Sequence, residues 1–105
     1  MGTYYIISVH VIKRPTLIGF YKKHNDAQGP LEAWWQEAKH AKWSCPADIK
    51  RLYPSSSLLG SNRVVFNIGG NKYRLVVKIN YPTQTVFIRF IGTHKEYEKI
   101  NAEKI

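Results

Sequence analysis

The chain has 105 residues, 44% of them hydrophobic and 13% aromatic, a composition that excludes general disorder and fits one domain, 1–105, with a modest core. Its 16 Lys and Arg outweigh 7 Asp and Glu, and the net charge of +9 favours a polyanionic partner. The single cysteine, Cys45, excludes an internal disulfide and fits a cytoplasmic location.

The first part of the chain predicts one strand followed by helices. The apolar run YYIISVHVI (4–12) is too short to span a bilayer and lacks the features of a secretory signal, so we expect a strand and no membrane contact. A helix is predicted from about Thr16 and a second within 28–43, whose apolar stripe includes Leu31 and Trp34. A short helical turn should precede Pro54, and a loop should follow it.

The second part predicts a three-strand meander over 63–68, 73–80 and 84–92. Gly69-Gly70-Asn71 is typical of a tight hairpin, and Thr93 with Glu96 forms a capping-box pattern that predicts a short C-terminal helix. We therefore predict an α+β fold. Its antiparallel sheet would contain the N-terminal strand and the meander, with the two N-terminal helices on one face.

Positive charge is concentrated in the meander. No acidic residue occurs from 49 to 95, whereas this window contains Lys50, Arg51, Arg63, Lys72, Arg74, Lys78, Arg89 and Lys95. Strand alternation places Tyr73, Leu75, Val77 and Ile79 toward the helices and Arg74, Val76, Lys78 and Asn80 toward solvent. With Asn67 and Arg89, the second set would form a basic surface. An ordinary solvated face is the simpler alternative.

The residue types available favour RNA chemistry without a metal or cofactor. The four histidines, His10, His24, His40 and His94, lie in different predicted elements, and no CxxC or HExxH motif is present. Arg, Lys, His and Tyr can together support attack of an RNA 2′-hydroxyl on the neighbouring phosphate. On composition alone, a nuclease and a non-catalytic RNA binder are equally supported.

The block VFNIGGNKYR, followed by GTHKEY, resembles the HigB toxins of the RelE-like toxin–antitoxin superfamily. The resemblance covers about 9–103 and leaves 1–8 as an extension. It implies a RelE-like fold and a metal-independent endoribonuclease that cuts mRNA in the ribosomal A site and so inhibits translation. It also implies a tightly bound HigA-like helix-turn-helix antitoxin, through which alone the toxin would contact DNA.

The same resemblance suggests roles for individual residues. Arg74 matches an arginine at the scissile phosphate, His94 lies where relatives place a basic or acid–base residue, and Tyr97 lies near a C-terminal aromatic. We expect these three to be catalytic. The expected RNA-binding residues are Asn67, Lys72, Lys78, Arg89, Arg63 and Lys95, with Asn67 orienting the RNA backbone.

The chain also departs from its relatives. Val65 and Asn67 stand where some RelE-like toxins carry two lysines, and another HigB branch uses a His-Asp-Tyr-His set with counterparts here only at His94 and Tyr97. The general base is thus unassigned. Each of the three expected catalytic residues has an alternative role: Arg74 could form an ion pair with Glu96 or Glu98, His94 could be a first-turn helix residue with no chemistry, and Tyr97 could pack the terminal helix on the sheet. Two other functions compete with that of an endoribonuclease. The first is a non-catalytic ribosome- or RNA-binding module, and the second is a subunit whose basic face docks an acidic antitoxin segment.

Overall fold

The computed structural model describes residues 9–105, which form a five-stranded sheet with helices. The elements are β1 (His10–Ile12), α1 (Arg14–Lys23), a 3-10 turn (Asn25–Ala27), α2 (Gln28–His40), α3 (Pro46–Leu52), β2 (Ser57–Leu58), β3 (Arg63–Ile68), β4 (Tyr73–Asn80), β5 (Thr85–Thr93) and α4 (His94–Tyr97). The bounds predicted for β3 and β4 are confirmed, and β5 is shifted by one residue. Part of the predicted first strand, 4–8, lies outside the described residues.

The sheet is mixed, with strand order β1-β5-β4-β3-β2. The meander β3–β4–β5 is antiparallel as predicted, but β1 runs parallel to β5, with Val11 opposite Val86. The prediction of a wholly antiparallel sheet was therefore wrong, because a hydrophobic run does not specify the direction of a partner far along the chain. The prediction of a loop throughout the segment after Pro54 is also corrected, because residues 57–58 pair with β3 as an edge strand.

The inner face of the sheet carries the main core, against which α1 and α2 pack. Leu75 and Val77 of β4 are fully buried there, together with Leu17 of α1 and Leu31 of α2. The predicted inward set of β4 is confirmed in full. In the part of the chain described, none of the helices combines the length and apolarity needed to cross a membrane.

The outer face of the sheet is only partly open to solvent, which corrects the predicted orientation of Val76. Val76 is fully buried in a second cluster with Val65 and Ala102, because the segment that follows α4 folds back across the middle of the sheet. Phe90, Tyr97, Ile100 and Ile105 pack on the same cluster. Alternation was right about the face, but it could not show that the C-terminal segment covers it.

Candidate functional site

One end of the outer face places polar and small residues side by side. Arg74 lies between Asn67 on β3 and Gly92 on β5 in the register of the sheet. The Arg74 guanidinium is partly exposed and donates from Nη1 to the carbonyl oxygens of Asn71, at 3.0 Å, and Tyr73, at 3.3 Å. These contacts fold the long side chain back over the hairpin, so that its charged end is held in place before any ligand arrives.

The second guanidinium nitrogen of Arg74 contacts the imidazole of His94. Arg74 Nη2 lies 2.9 Å from His94 Nδ1, and His94 Nε2 lies 3.3 Å from a carboxylate oxygen of Glu98. Arginine can only donate, so in this contact Nδ1 is the accepting nitrogen, and the other ring nitrogen is the one nearer to the Glu98 carboxylate. The three side chains therefore form a chain of contacts in which the imidazole of His94 lies between Arg74 and Glu98.

Arg74 does not form the ion pair that sequence reasoning offered as its alternative role. Within residues 9–105 it pairs with neither Glu96 nor Glu98, since Glu98 contacts His94 and Glu96 caps α4. Glu98 was missed as a site residue. The signal that could have found it is its spacing of four residues from His94, which places two side chains on the same side of a helical turn.

The position of His94 depends on the capping box that the sequence predicted. Thr93 is the N-cap: its hydroxyl accepts from the Glu96 backbone N–H at 3.2 Å, and its own N–H donates to the Glu96 carboxylate at 2.8 Å. The bond from the Thr93 backbone is the main reason that the pKa of Glu96 lies below its ordinary value. A carboxyl with a lowered folded-state pKa stabilises at neutral pH and loses that contribution as the pH falls through its folded pKa.

Replacing the cap residue should be measurable. Thr93→Ala is expected to lower the free energy of unfolding by about 1 kcal/mol, because it leaves an N-terminal N–H of α4 without its side-chain acceptor. Thr93→Ser should retain most of the stability. Urea denaturation measures both variants, and Thr16→Ala, in α1, is the matched control. An equal loss in Thr93→Ala and Thr16→Ala would contradict a capping role.

Gly92, opposite Arg74, makes room for the neighbouring Phe90 ring and Glu96 carboxylate. A Cβ atom there would lie 2.5 Å from the Phe90 ring and 3.0 Å from the Glu96 carboxylate. The first distance is far inside van der Waals contact, so a side chain would displace Phe90 or disturb the capping box. The absence of a side chain at Gly92 therefore allows Phe90 and Glu96 to pack close to the strand that pairs with Arg74.

The other expected catalytic residue, Tyr97, is positioned by packing. Its ring lies 6.5 Å from that of Phe90, and it is partly buried against the outer cluster. This is the packing role that sequence reasoning gave as its alternative. Asn67 lies beside Arg74, and its amide nitrogen donates to the Ser55 carbonyl at 3.1 Å. Val65, where relatives carry a lysine, is buried beneath Ala102.

Four of the five expected RNA-binding cations are exposed at the surface. Lys78, Arg89 and Lys95 are exposed, and Arg89 is the extra residue of a bulge, falling between the Val77–Ile88 and Val76–Phe90 pairs. Lys72 is exposed but bonds the carboxylate of Asp26, which lowers the pKa of that carboxyl.

Arg63 has a different environment from the other cations. It is only 8% exposed, and its guanidinium donates to the backbone carbonyls of Ser61, at 3.0 Å, and Ile105, at 3.1 Å from Nε. The structure therefore argues against the RNA contact expected for Arg63, because its donors already hold the C-terminal segment on the sheet. No group of three or more His, Cys, Asp or Glu side chains in residues 9–105 is arranged to hold a metal ion.

Comparison with known protein families identifies the family of this chain. The family described as "HigB_toxin, RelE-like toxic component of a toxin–antitoxin system" matches residues 27–100. The chain belongs to the HigB toxin family. Membership confirms the resemblance inferred from the two motifs and the prediction of a RelE-like α+β fold, and it implies a cognate antitoxin as partner.

Curated relatives of this HigB-family chain carry matching names. The "mRNA interferase toxin HigB" of Escherichia coli strain K12 is 28% identical over 96 residues, which span 90% of this chain and 92% of the relative. The "mRNA interferase HigB" of Shigella flexneri matches to the same extent. That of Escherichia coli O6:H1 is 23% identical over 94 residues, or 88% of this chain and 91% of the relative.

Proposed function

We propose that this chain is the endoribonuclease toxin of a type II toxin–antitoxin system and that it cuts mRNA on the ribosome without a metal. The observation that carries the proposal is the contact chain Arg74–His94–Glu98, which lies beside strands that carry no acidic residue between 49 and 95. Support also comes from the relatives, whose names describe them as mRNA interferases. We also propose a cytoplasmic location, since ribosomes and mRNA are available there.

The bound phosphate would activate His94. An RNA phosphate is a stronger acceptor for a guanidinium than an imidazole nitrogen is, so the scissile phosphate draws Arg74 away from His94. The freed Nδ1 lone pair then takes the proton of the 2′-hydroxyl, and Glu98 stabilises the imidazolium that forms. This exchange assigns the role of general base, which sequence reasoning left open, to His94.

The remaining steps follow from the geometry of the phosphate. The 2′-oxygen attacks phosphorus, the bond to the 5′-oxygen breaks, and a 2′,3′-cyclic phosphate remains on one product. The departing 5′-oxygen takes one proton, for which Tyr97, one helical turn from His94, or a water molecule is the donor. Arg74 stabilises the additional negative charge that develops on the phosphoryl oxygens.

The RNA-binding surface would consist of Asn67, Lys78, Arg89 and Lys95. The three cations are exposed and are expected to act through phosphate contacts that weaken with salt. Lys72 would contribute only after exchanging Asp26 for a phosphate. As antitoxin we propose a HigA-like protein with a helix-turn-helix domain, through which the complex would reach DNA.

Ribosome dependence has a direct test. A reporter mRNA and a matched reporter lacking its start codon are mapped by primer extension after induction of the chain. Discrete cuts inside the coding region are expected in the translated reporter only. Cuts in both reporters would refute ribosome dependence, and their absence from both would refute cleavage.

The competing function is a non-catalytic ribosome- or RNA-binding module, and one observation favours it. Val65 is buried and the Asn67 amide is held by Ser55, so this surface offers no counterpart to the lysine pair of some relatives. Such a module would associate with ribosomes and leave both reporters intact. The third reading, a basic face that serves to dock an acidic antitoxin segment, predicts neither ribosome association nor cleavage.

A further inference from the structure

An open groove lies at the opposite end of β4 from Arg74 and has no part in the proposed cleavage chemistry. Its volume is about 590 Å³, and Asn62, Lys78, Asn80, Tyr81 and Phe87 contribute to its lining. It begins where β4 leaves the sheet and enters the turn to β5. Lys78 and Phe87 are opposite each other in the ladder, so a cation and an aromatic ring share one row of the outer face.

Phe87 is unusual because its ring is not used in either core. Among the aromatic side chains of residues 9–105, it alone belongs to neither hydrophobic cluster, and it is partly exposed. Its neighbours in the sheet are Lys78 on one side and Ile12 on the other. An aromatic face that is left at the surface beside a cation suits a nucleotide, whose base can stack while its phosphate is held.

The polar groups of the groove match the same ligand. Lys78 is exposed and forms no ion pair with any residue in 9–105. Asn80 Oδ1 accepts from the Thr83 backbone N–H at 3.2 Å, which orients the side chain and leaves its amide nitrogen as a donor. With no acidic residue between 49 and 95, nothing local in the sequence repels a phosphate.

The groove is within reach of RNA bound at Arg74. Lys78 is four positions beyond Arg74 on β4, which is about 13 Å along a strand and corresponds to a few nucleotides. The C-terminal segment covers Val65 and Val76 between the two points, so a direct route over the middle of the sheet is closed. Arg89, which the bulge of β5 leaves exposed, lies between the two points along that strand and offers a cation on the way.

We propose that this groove is a second nucleotide-binding subsite, which stacks one unpaired base of single-stranded RNA on Phe87 and holds the adjoining phosphate at Lys78. The inference rests on the proposed function, since it assumes that the same RNA strand reaches Arg74. Stacking on a ring tolerates any base, so the subsite selects single strands rather than a sequence. Duplex RNA, whose bases are already stacked and paired, would not use it.

Binding without cleavage tests the subsite. Fluorescence anisotropy is measured with a labelled 2′-O-methyl oligoribonucleotide, which cannot be cut because its 2′-hydroxyls are blocked. Phe87→Ala is expected to weaken single-strand binding about tenfold, and Phe87→Tyr to leave it near wild type. Phe87→Leu, which keeps an apolar side chain of similar bulk, should lose as much as Phe87→Ala. None of the three Phe87 variants should change binding of the corresponding duplex.

Two lysine variants test the phosphate contact at Lys78. Lys78→Ala should weaken single-strand binding and reduce the slope of its salt dependence by about one, whereas Lys23→Ala on α1 should do neither. Unchanged single-strand binding by Phe87→Leu, or an equal loss for single strand and duplex, would overturn the subsite. Because the probe is uncleavable, these results are independent of the reporter assay, so failure of the subsite and failure of the nuclease proposal can be told apart.

Discussion

Arg74→Ala is expected to lower mRNA cleavage by about 100- to 1,000-fold, the usual cost of removing one donor that stabilises a transition state. The reason is specific to this site: the guanidinium is held over the hairpin by two backbone carbonyls and contacts the imidazole of His94. Primer extension on the translated reporter gives the cleavage rate. Arg74→Lys should recover only part of it, because an ammonium lacks the planar fork that matches a phosphate.

The control for Arg74 is an arginine of equal charge elsewhere. Arg51 on α3 has a side chain that is 71% exposed and, within residues 9–105, forms an ion pair with Asp48 alone, so Arg51→Ala removes one positive charge far along the chain from the site. It should cleave like the wild type. Circular dichroism and urea denaturation check that Arg74→Ala is folded. Equal cleavage by Arg74→Ala and Arg51→Ala would refute a role for Arg74 beyond general charge.

His94→Ala is expected to reduce cleavage by about 100- to 10,000-fold, the range that general acid–base groups contribute. The double variant with Arg74→Ala should lose much less than the product of the two single losses. In the proposed mechanism Arg74 leaves His94 when it binds the phosphate, and this exchange frees His94 to act as the base. The two side chains therefore act as one unit. Single-turnover cleavage by the four proteins of this cycle measures their coupling.

Two further variants separate chemistry from packing at His94. Glu98→Gln should give a smaller loss than His94→Ala, because it weakens the orientation of the imidazole and leaves the accepting nitrogen in place. His40→Ala, at the exposed end of α2, is the matched histidine control and should cleave like the wild type. Multiplicative losses in the double variant would contradict the exchange of Arg74 from His94 to phosphate.

The sequence by itself determined the parts of the molecule that depend on neighbouring residues. β3 and β4 begin and end where alternation and the Gly69-Gly70 turn predict, and both glycines adopt positive φ. The inward set of β4, from Tyr73 to Ile79, follows from the period of a strand. The capping box of Thr93 and Glu96 is equally local. These features share one cause: the residues that decide each of them lie within a few positions of one another.

The tertiary structure alone decided which of the cations are free and which side chains His94 contacts. Arg74 and His94 are 20 residues apart, and only the pairing of β4 with β5, followed by the turn into α4, brings them to 2.9 Å. Arg63 and Lys72 look equivalent to Arg74 in the sequence. In the folded chain Arg63 donates to the Ile105 carbonyl, 42 residues away, and Lys72 donates to the Asp26 carboxylate, 46 residues away. Contacts over such separations depend on how the whole chain packs, and no local pattern encodes them.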